Sequence, residues 1–157
     1  MEWEGAAGDL QKFIPMILLM VFLTASCMWD LRYRAIPRRA AFAGLLLSMV
    51  YLMMQLLQGE VDLLHAGICL LPGFLLIALA LLANGAVGIG DGLVWLVIGG
   101  VSDPWDSMSA LLLGLLLIAF WSGGLLLTGR AGRKTRLPFL PFSFGGYVLW
   151  MLMKPFW

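Results

Sequence analysis

The sequence predicts an all-α polytopic membrane protein with six transmembrane helices and both termini outside the cytoplasm. Three observations carry this expectation. Hydrophobic residues make up 62% of the 157-residue chain and mean hydropathy is +0.96. Charged residues account for only 12%, against roughly 25% in a soluble domain. The apolar residues gather into six runs, and the basic residues between them fall in alternate loops. The length suits one domain, so residues 1–157 are expected to form a single transmembrane unit.

The runs lie at about 13–29, 40–57, 63–83, 92–101, 107–128 and 139–153. Crossing the hydrocarbon layer takes ~20 helical residues. The first, second, third and fifth runs reach or approach that length. The fourth is short, and the sixth is marginal unless it extends over 138–157. Glu2 and Glu4 give the first run an acidic flank, the wrong one for a cleaved signal peptide, so that run is expected to remain in the mature protein. Pro72-Gly73 predicts a kink within the third run. Cys27 and Cys69 both sit in apolar runs, outside any CxxC pair, and read as small core residues. Trp3, Trp29, Trp105, Trp150 and Trp157 fall near the expected interfaces, where aromatic belts form.

The charges require six spans. Arg32, Arg34, Arg38 and Arg39 occupy the first loop, and Arg130, Arg133, Lys134 and Arg136 the fifth. Basic loops mark the cytoplasmic side, so loops one, three and five are cytoplasmic and both ends lie outside. Glu2, Glu4, Asp9, Glu60, Asp62, Asp103 and Asp106 then fall on the outer side, the last two as acids of the fourth loop. Asp30 and Asp91 run against this trend: both sit at cytoplasmic ends of helices. Asp30 precedes Arg32 and Arg34 and could simply neutralise them, whereas the loop of Asp91 holds no basic residue. An acid at the edge of a membrane segment is costly and points to function; the plain alternative is an ordinary interfacial acid.

Three motifs lie at that face: Asp30-Leu-Arg-Tyr-Arg-Ala-Ile36-Pro37, Gly88-Ile-Gly90-Asp91 and Pro138-Phe-Leu-Pro141-Phe. In this order they resemble the signatures of the type IV prepilin peptidases, short peptidase-only members in particular, and are similar also to preflagellin peptidases. The Gly-x-Gly-Asp motif alone is weak and is shared more loosely with presenilin-like intramembrane proteases. The resemblance implies a membrane aspartic endopeptidase with Asp30 and Asp91 as catalytic residues. It would remove the short basic leader of a prepilin-like or pseudopilin precursor, after a glycine, at the cytoplasmic face of the plasma membrane. Two cysteines in different runs and one histidine on the outer side cannot build the usual four-ligand zinc site, so no metal and no cofactor are expected; membrane lipid is the other expected partner, and no nucleic acid is expected. Two positions depart from the family pattern, Leu93 where Lys is frequent and Arg38 where Asn is common. They bear on efficiency or substrate choice and touch neither acid. The four-cysteine loop of the larger members, which also methylate the cleaved N-terminus, has no counterpart here.

The chemistry suits those residues independently. Hydrolysis by paired carboxylates needs one ionised group to activate water and one protonated group to polarise the carbonyl, and two neighbouring acids that resist ionising together supply both. Gly88 and Gly90 lack a Cβ, so substrate backbone could approach Asp91, and they permit turn conformations or close packing. Ile36-Pro37 marks the turn before the second helix, and Pro138 and Pro141 set the start of the last one. Gly145 and Gly146 would let that helix pack closely near the acids. His65, the one histidine, falls on the outer side, away from both acids.

A rival reading keeps the same two acids in a non-catalytic membrane assembly subunit or a small proton or cation transporter. A transporter would place them near the midplane and often shows inverted repeats; here they lie at helix ends and no repeat is visible. An inactive family member is a third reading. The precursor, the filament system and the oligomeric state stay open.

Overall fold

The computed structural model describes residues 2–33, 37–82, 88–128 and 139–154, with side chains from residue 14 onward except at Arg38. These residues form six α-helices and no strand: α1 (Glu2–Tyr33), α2 (Arg38–Gln58), α3 (Leu63–Leu82), α4 (Ile89–Gly99), α5 (Pro104–Leu127) and α6 (Leu140–Met153). Each apolar run corresponds to one helix, although α1 starts well before its run. Four stretches are long and apolar enough to cross a membrane: Ile14–Tyr33, Arg39–Gln58, Leu63–Leu82 and Pro104–Leu127. α4 and α6 are apolar but have only 11 and 14 residues, about 16 and 21 Å of helix against a hydrocarbon layer of ~30 Å.

The helix ends follow from local chemistry. Pro37 caps α2 with φ −63° and ψ 118°, the extended conformation that a proline ring allows. At its other end Gly59 turns left-handed at φ 72°. The N–H groups of Gly59 and Glu60 then close onto the carbonyls of Leu56 and Gln55. This is a Schellman stop, and a side chain at residue 59 would strain it.

Small residues set how the helices pack. α3 and α4 run antiparallel so closely that a Cβ at Gly73 would lie 2.6 Å from the backbone nitrogen of Leu96, and one at Gly99 would collide with the carbonyl of Cys69. α5 and α6 form the second close pair. A Cβ at Gly114 would meet the Ser143 Cα at 3.1 Å, and one at Gly146 the Ala110 carbonyl at 2.7 Å. Small-residue seams of this kind bring membrane helices together where hydrophobic burial cannot. Gly146 thus gives the close approach expected of it, but against α5 rather than beside the acids.

α4 lies at the centre. Gly92 and every residue from Val94 to Gly99 are buried, as befits a helix that is apolar all round. Leu19 and Leu23 of α1, Leu76 of α3, Ala110 and Leu111 of α5, and Leu140 and Tyr147 of α6 complete its core. The outward faces carry large apolar side chains such as Leu57, Leu82 and Leu127, a surface at odds with water.

The far end of the bundle corrects one expectation. Asp106 is not a loop acid: it lies in the first turn of α5 and is buried. Its carboxylate accepts hydrogen bonds from Trp150 Nε1 at 3.0 Å and Lys154 Nζ at 2.7 Å. Asp106 at the start of α5 thereby meets the end of α6. Ser102 and Tyr147 share a hydrogen bond of 3.0 Å in the same half.

Candidate active site

The end of α1 and the starts of α4 and α6 meet at one end of the bundle. On α1 the buried positions are Leu19, Leu23, Ser26 and Asp30, a stripe with alternating steps of four and three residues, the period of one helix face. Asp30 is the last member of that stripe, so helical geometry turns it inward at 7% exposure. Its neighbours Met28, Trp29, Leu31 and Tyr33 are exposed.

Asp91 is the third residue of α4. Its own N–H bonds to the Gly88 carbonyl at 3.0 Å, and its carboxylate interacts with the Gly88 backbone N–H. That is the acidic half of a capping box, in which a side chain at the third position satisfies a free donor at the cap. An acid also suits the positive end of a helix dipole. Gly88 has φ −76° and ψ 131°, an extended conformation open to any residue. The expected turn conformation is therefore not why glycine fits here. Space is the reason, since a Cβ would lie 3.2 Å from Asp91 Oδ2.

Asp91 lies within the electrostatic reach of Asp30, so the fold brings the two acids together. Asp30 stands at the C-terminal end of its own helix, where the α1 dipole disfavours an anion. The start of α6 offsets this: the Leu140 backbone N–H interacts with the Asp30 carboxylate. Pro141 follows at the second helical position, where the missing N–H removes no helical bond. The other carboxylate oxygen, Oδ2, is buried with no hydrogen-bond partner among the described residues. Buried oxygens are rarely left so.

Of the remaining expected site residues, Gly90 is a half-buried residue in the first turn of α4, and Pro37 is half-buried at the start of α2. Ile36 and Pro138 lie outside the described residues, as do the basic residues of the fifth loop. His65 is exposed in the first turn of α3, at the opposite end. Among the described residues no group of three His, Cys, Asp or Glu side chains could hold a metal ion. The arrangement is a pair of carboxylates, one buried and one half-buried. Two carboxylates within electrostatic reach resist ionising together, which is the property an acid pair needs to act as general acid and base.

Three features near this end of the bundle were not expected from the sequence: the Leu140 N–H at Asp30, and the buried side chains of Trp95 and Ser143. Trp95 and Ser143 are each 1% exposed and joined by a hydrogen bond. A lone serine in the last apolar run, and a tryptophan one turn after Asp91, were the available signals.

A model of the type IV leader peptidase family matches residues 17–123. That stretch holds both acids and ends before α6. The chain is also similar to the prepilin leader peptidase/N-methyltransferase of Bacillus subtilis (strain 168), with 28% identity over 144 residues. The match covers 90% of this chain and 56% of the relative, so the chain spans about half of that protein's length. No solved structure matches.

Proposed function

The chain belongs to the type IV leader peptidase family, and on that premise we propose that it is a membrane-embedded aspartic endopeptidase whose catalytic pair is Asp30 and Asp91. The observation that carries this reading is the approach of the two carboxylates from helices far apart in sequence. One ionised carboxylate takes a proton from water as its oxygen attacks the scissile carbonyl carbon. The protonated partner donates to the carbonyl oxygen, giving a gem-diol. The first carboxyl then passes its proton to the leaving nitrogen as the C–N bond breaks, while the partner takes back a gem-diol proton, which restores the pair.

The substrate on this reading is a prepilin-like precursor with a short basic leader. The precursor's apolar segment lies beside the enzyme in lipid, and the cut is made at the cytoplasmic face of the plasma membrane. Residues 1–157 act as a single transmembrane peptidase domain. All six helices count as spans, with both termini outside. Support comes from the eight basic residues of loops one and five and from the antiparallel packing of α3 with α4 and of α5 with α6. The relative's name joins peptidase to N-methyltransferase. For this chain we infer cleavage without methylation, because its two cysteines both lie within helices and cannot supply a four-cysteine loop.

The test is the pair of isosteric variants Asp30→Asn and Asp91→Asn, assayed on a prepilin-like substrate in membranes. Both should insert normally and cleave at background rate. Substantial cleavage by either variant would remove the aspartic mechanism and leave the assembly-subunit or transporter reading.

A further inference from the structure

The two acids belong to different halves of the bundle. Asp91 rides on α4, which is packed tightly along α3, while Asp30 is met by the start of α6, which is packed tightly along α5. α4 and α6 are not close-packed against each other. α4 also meets α1 and α5, and α3 meets α5, but the direct link between the helix bearing Asp91 and the helix that meets Asp30 is made by side chains.

Trp95 and Ser143 make such a bridge. The indole Nε1–H of Trp95 donates to Ser143 Oγ at 3.3 Å, and both residues are fully enclosed. Trp95 lies four residues after Asp91 on the same face of α4, about 6 Å deeper. Ser143 lies three residues after Leu140 on the same face of α6, about 4.5 Å deeper. The bond therefore sits one helical turn beneath the acids and joins the helix bearing Asp91 to the helix whose N–H meets Asp30. A buried indole demands an acceptor, and an enclosed hydroxyl gives it a fixed one. Sliding or rotating either helix would break the bond with no water to replace it.

Resting on the functional reading above, we propose that Trp95 and Ser143 are positioning residues that hold the Asp30 and Asp91 carboxylates in register across the two halves of the bundle. Neither touches the substrate; each acts through the helix start above it.

The experiment combines kinetics with a distance measurement that needs no activity. Spin labels go on Leu31→Cys and Ile89→Cys, exposed positions beside the two acids, in a chain with Cys27 and Cys69 replaced by alanine. In the full-length protein in lipid, Ser143→Ala and Trp95→Phe should each broaden or shift the label-to-label distance distribution. Without labels, each should lower kcat by roughly 10- to 100-fold with KM changed by no more than about twofold. The double variant should be no worse than the weaker single one, because both remove the same bond. Ser143→Ala is the gentler change and keeps the test valid if Trp95→Phe folds poorly. Unchanged distances, whatever the rate, overturn the proposal, as do losses that add in the double variant or fall on KM. If the unsubstituted enzyme fails to cleave, the functional reading falls, and the distances alone decide whether the bond sets the register.

Discussion

Lys154, just past the end of α6, pairs at 2.7 Å with the buried carboxylate of Asp106 in the first turn of α5. Trp150, one turn earlier on α6, donates to the other oxygen of the same carboxylate. Together they clamp the end of α6 opposite the acid pair, so the helix that presents Leu140 to Asp30 is anchored at both ends.

Asp106→Ala should therefore destabilise the fold while leaving the chemistry largely intact. Breaking a well-buried pair costs about 3–5 kcal/mol. Lys154 is 45% exposed, and solvent screening reduces the loss to about 1–3 kcal/mol. Thermal unfolding in detergent should show a lower Tm for Asp106→Ala and a smaller drop for Lys154→Ala. Cleavage measured well below Tm should change by less than about threefold.

The proposed acid pair predicts a bell-shaped pH profile. The rate should rise as the first carboxylate of the pair ionises and fall as the second loses its proton, with both limbs belonging to the pair. Any residual rate of Asp30→Asn or Asp91→Asn should lose this bell. The double variant should be no slower than either single one, as for groups acting as a unit. Additive losses would show that the two acids act separately.

Gly88→Ala tests the space beside Asp91. The backbone at Gly88 accepts alanine without strain, so expression and Tm should hold. The added methyl would press on Asp91 Oδ2 from 3.2 Å and must move the carboxylate by a few tenths of an ångström. A fall in kcat of about tenfold is expected for a displacement of that order. An unchanged kcat would mean that the Asp91 position has slack.

Cleavage should not depend on a metal ion. The reading uses carboxylates alone, so dialysis against a chelator should leave the rate unchanged. Loss of activity that zinc restores would contradict it.

The proposed topology can be read by labelling. In a chain lacking Cys27 and Cys69, Gly132→Cys should react only with reagents that reach the cytoplasm, and Gln58→Cys only from outside. A Gly132→Cys that labels from outside would invert the orientation and remove the acids from the cytoplasmic face.

Much of the architecture was legible in the chain itself. Apolar runs set the number and approximate place of the helices, because hydrophobicity and helix length are local properties. With helices alternating in direction, Asp30 at the end of the first and Asp91 at the start of the fourth must share one end of the bundle, and the fold does bring them together. Which face of α1 turns inward was not legible, since the run is apolar all round; only the structure picks out Leu19, Leu23, Ser26 and Asp30.

Tertiary packing decided the rest. All-round apolarity permits α4 to be enclosed, but it does not single α4 out, since α3 is as apolar. The burial of α4 follows from where glycines let backbones close: Gly73 against Leu96 and Gly99 against Cys69 join it to α3, while Gly146 against Ala110 closes α6 onto α5. Those pairings also carry Asp106 out of a presumed loop into a buried clamp, aim Leu140 at Asp30, and turn Trp95 onto Ser143. Hydropathy and charge record how each segment meets its solvent, but which faces of two helices touch depends on shape across distant residues, and that is settled only when the backbones close.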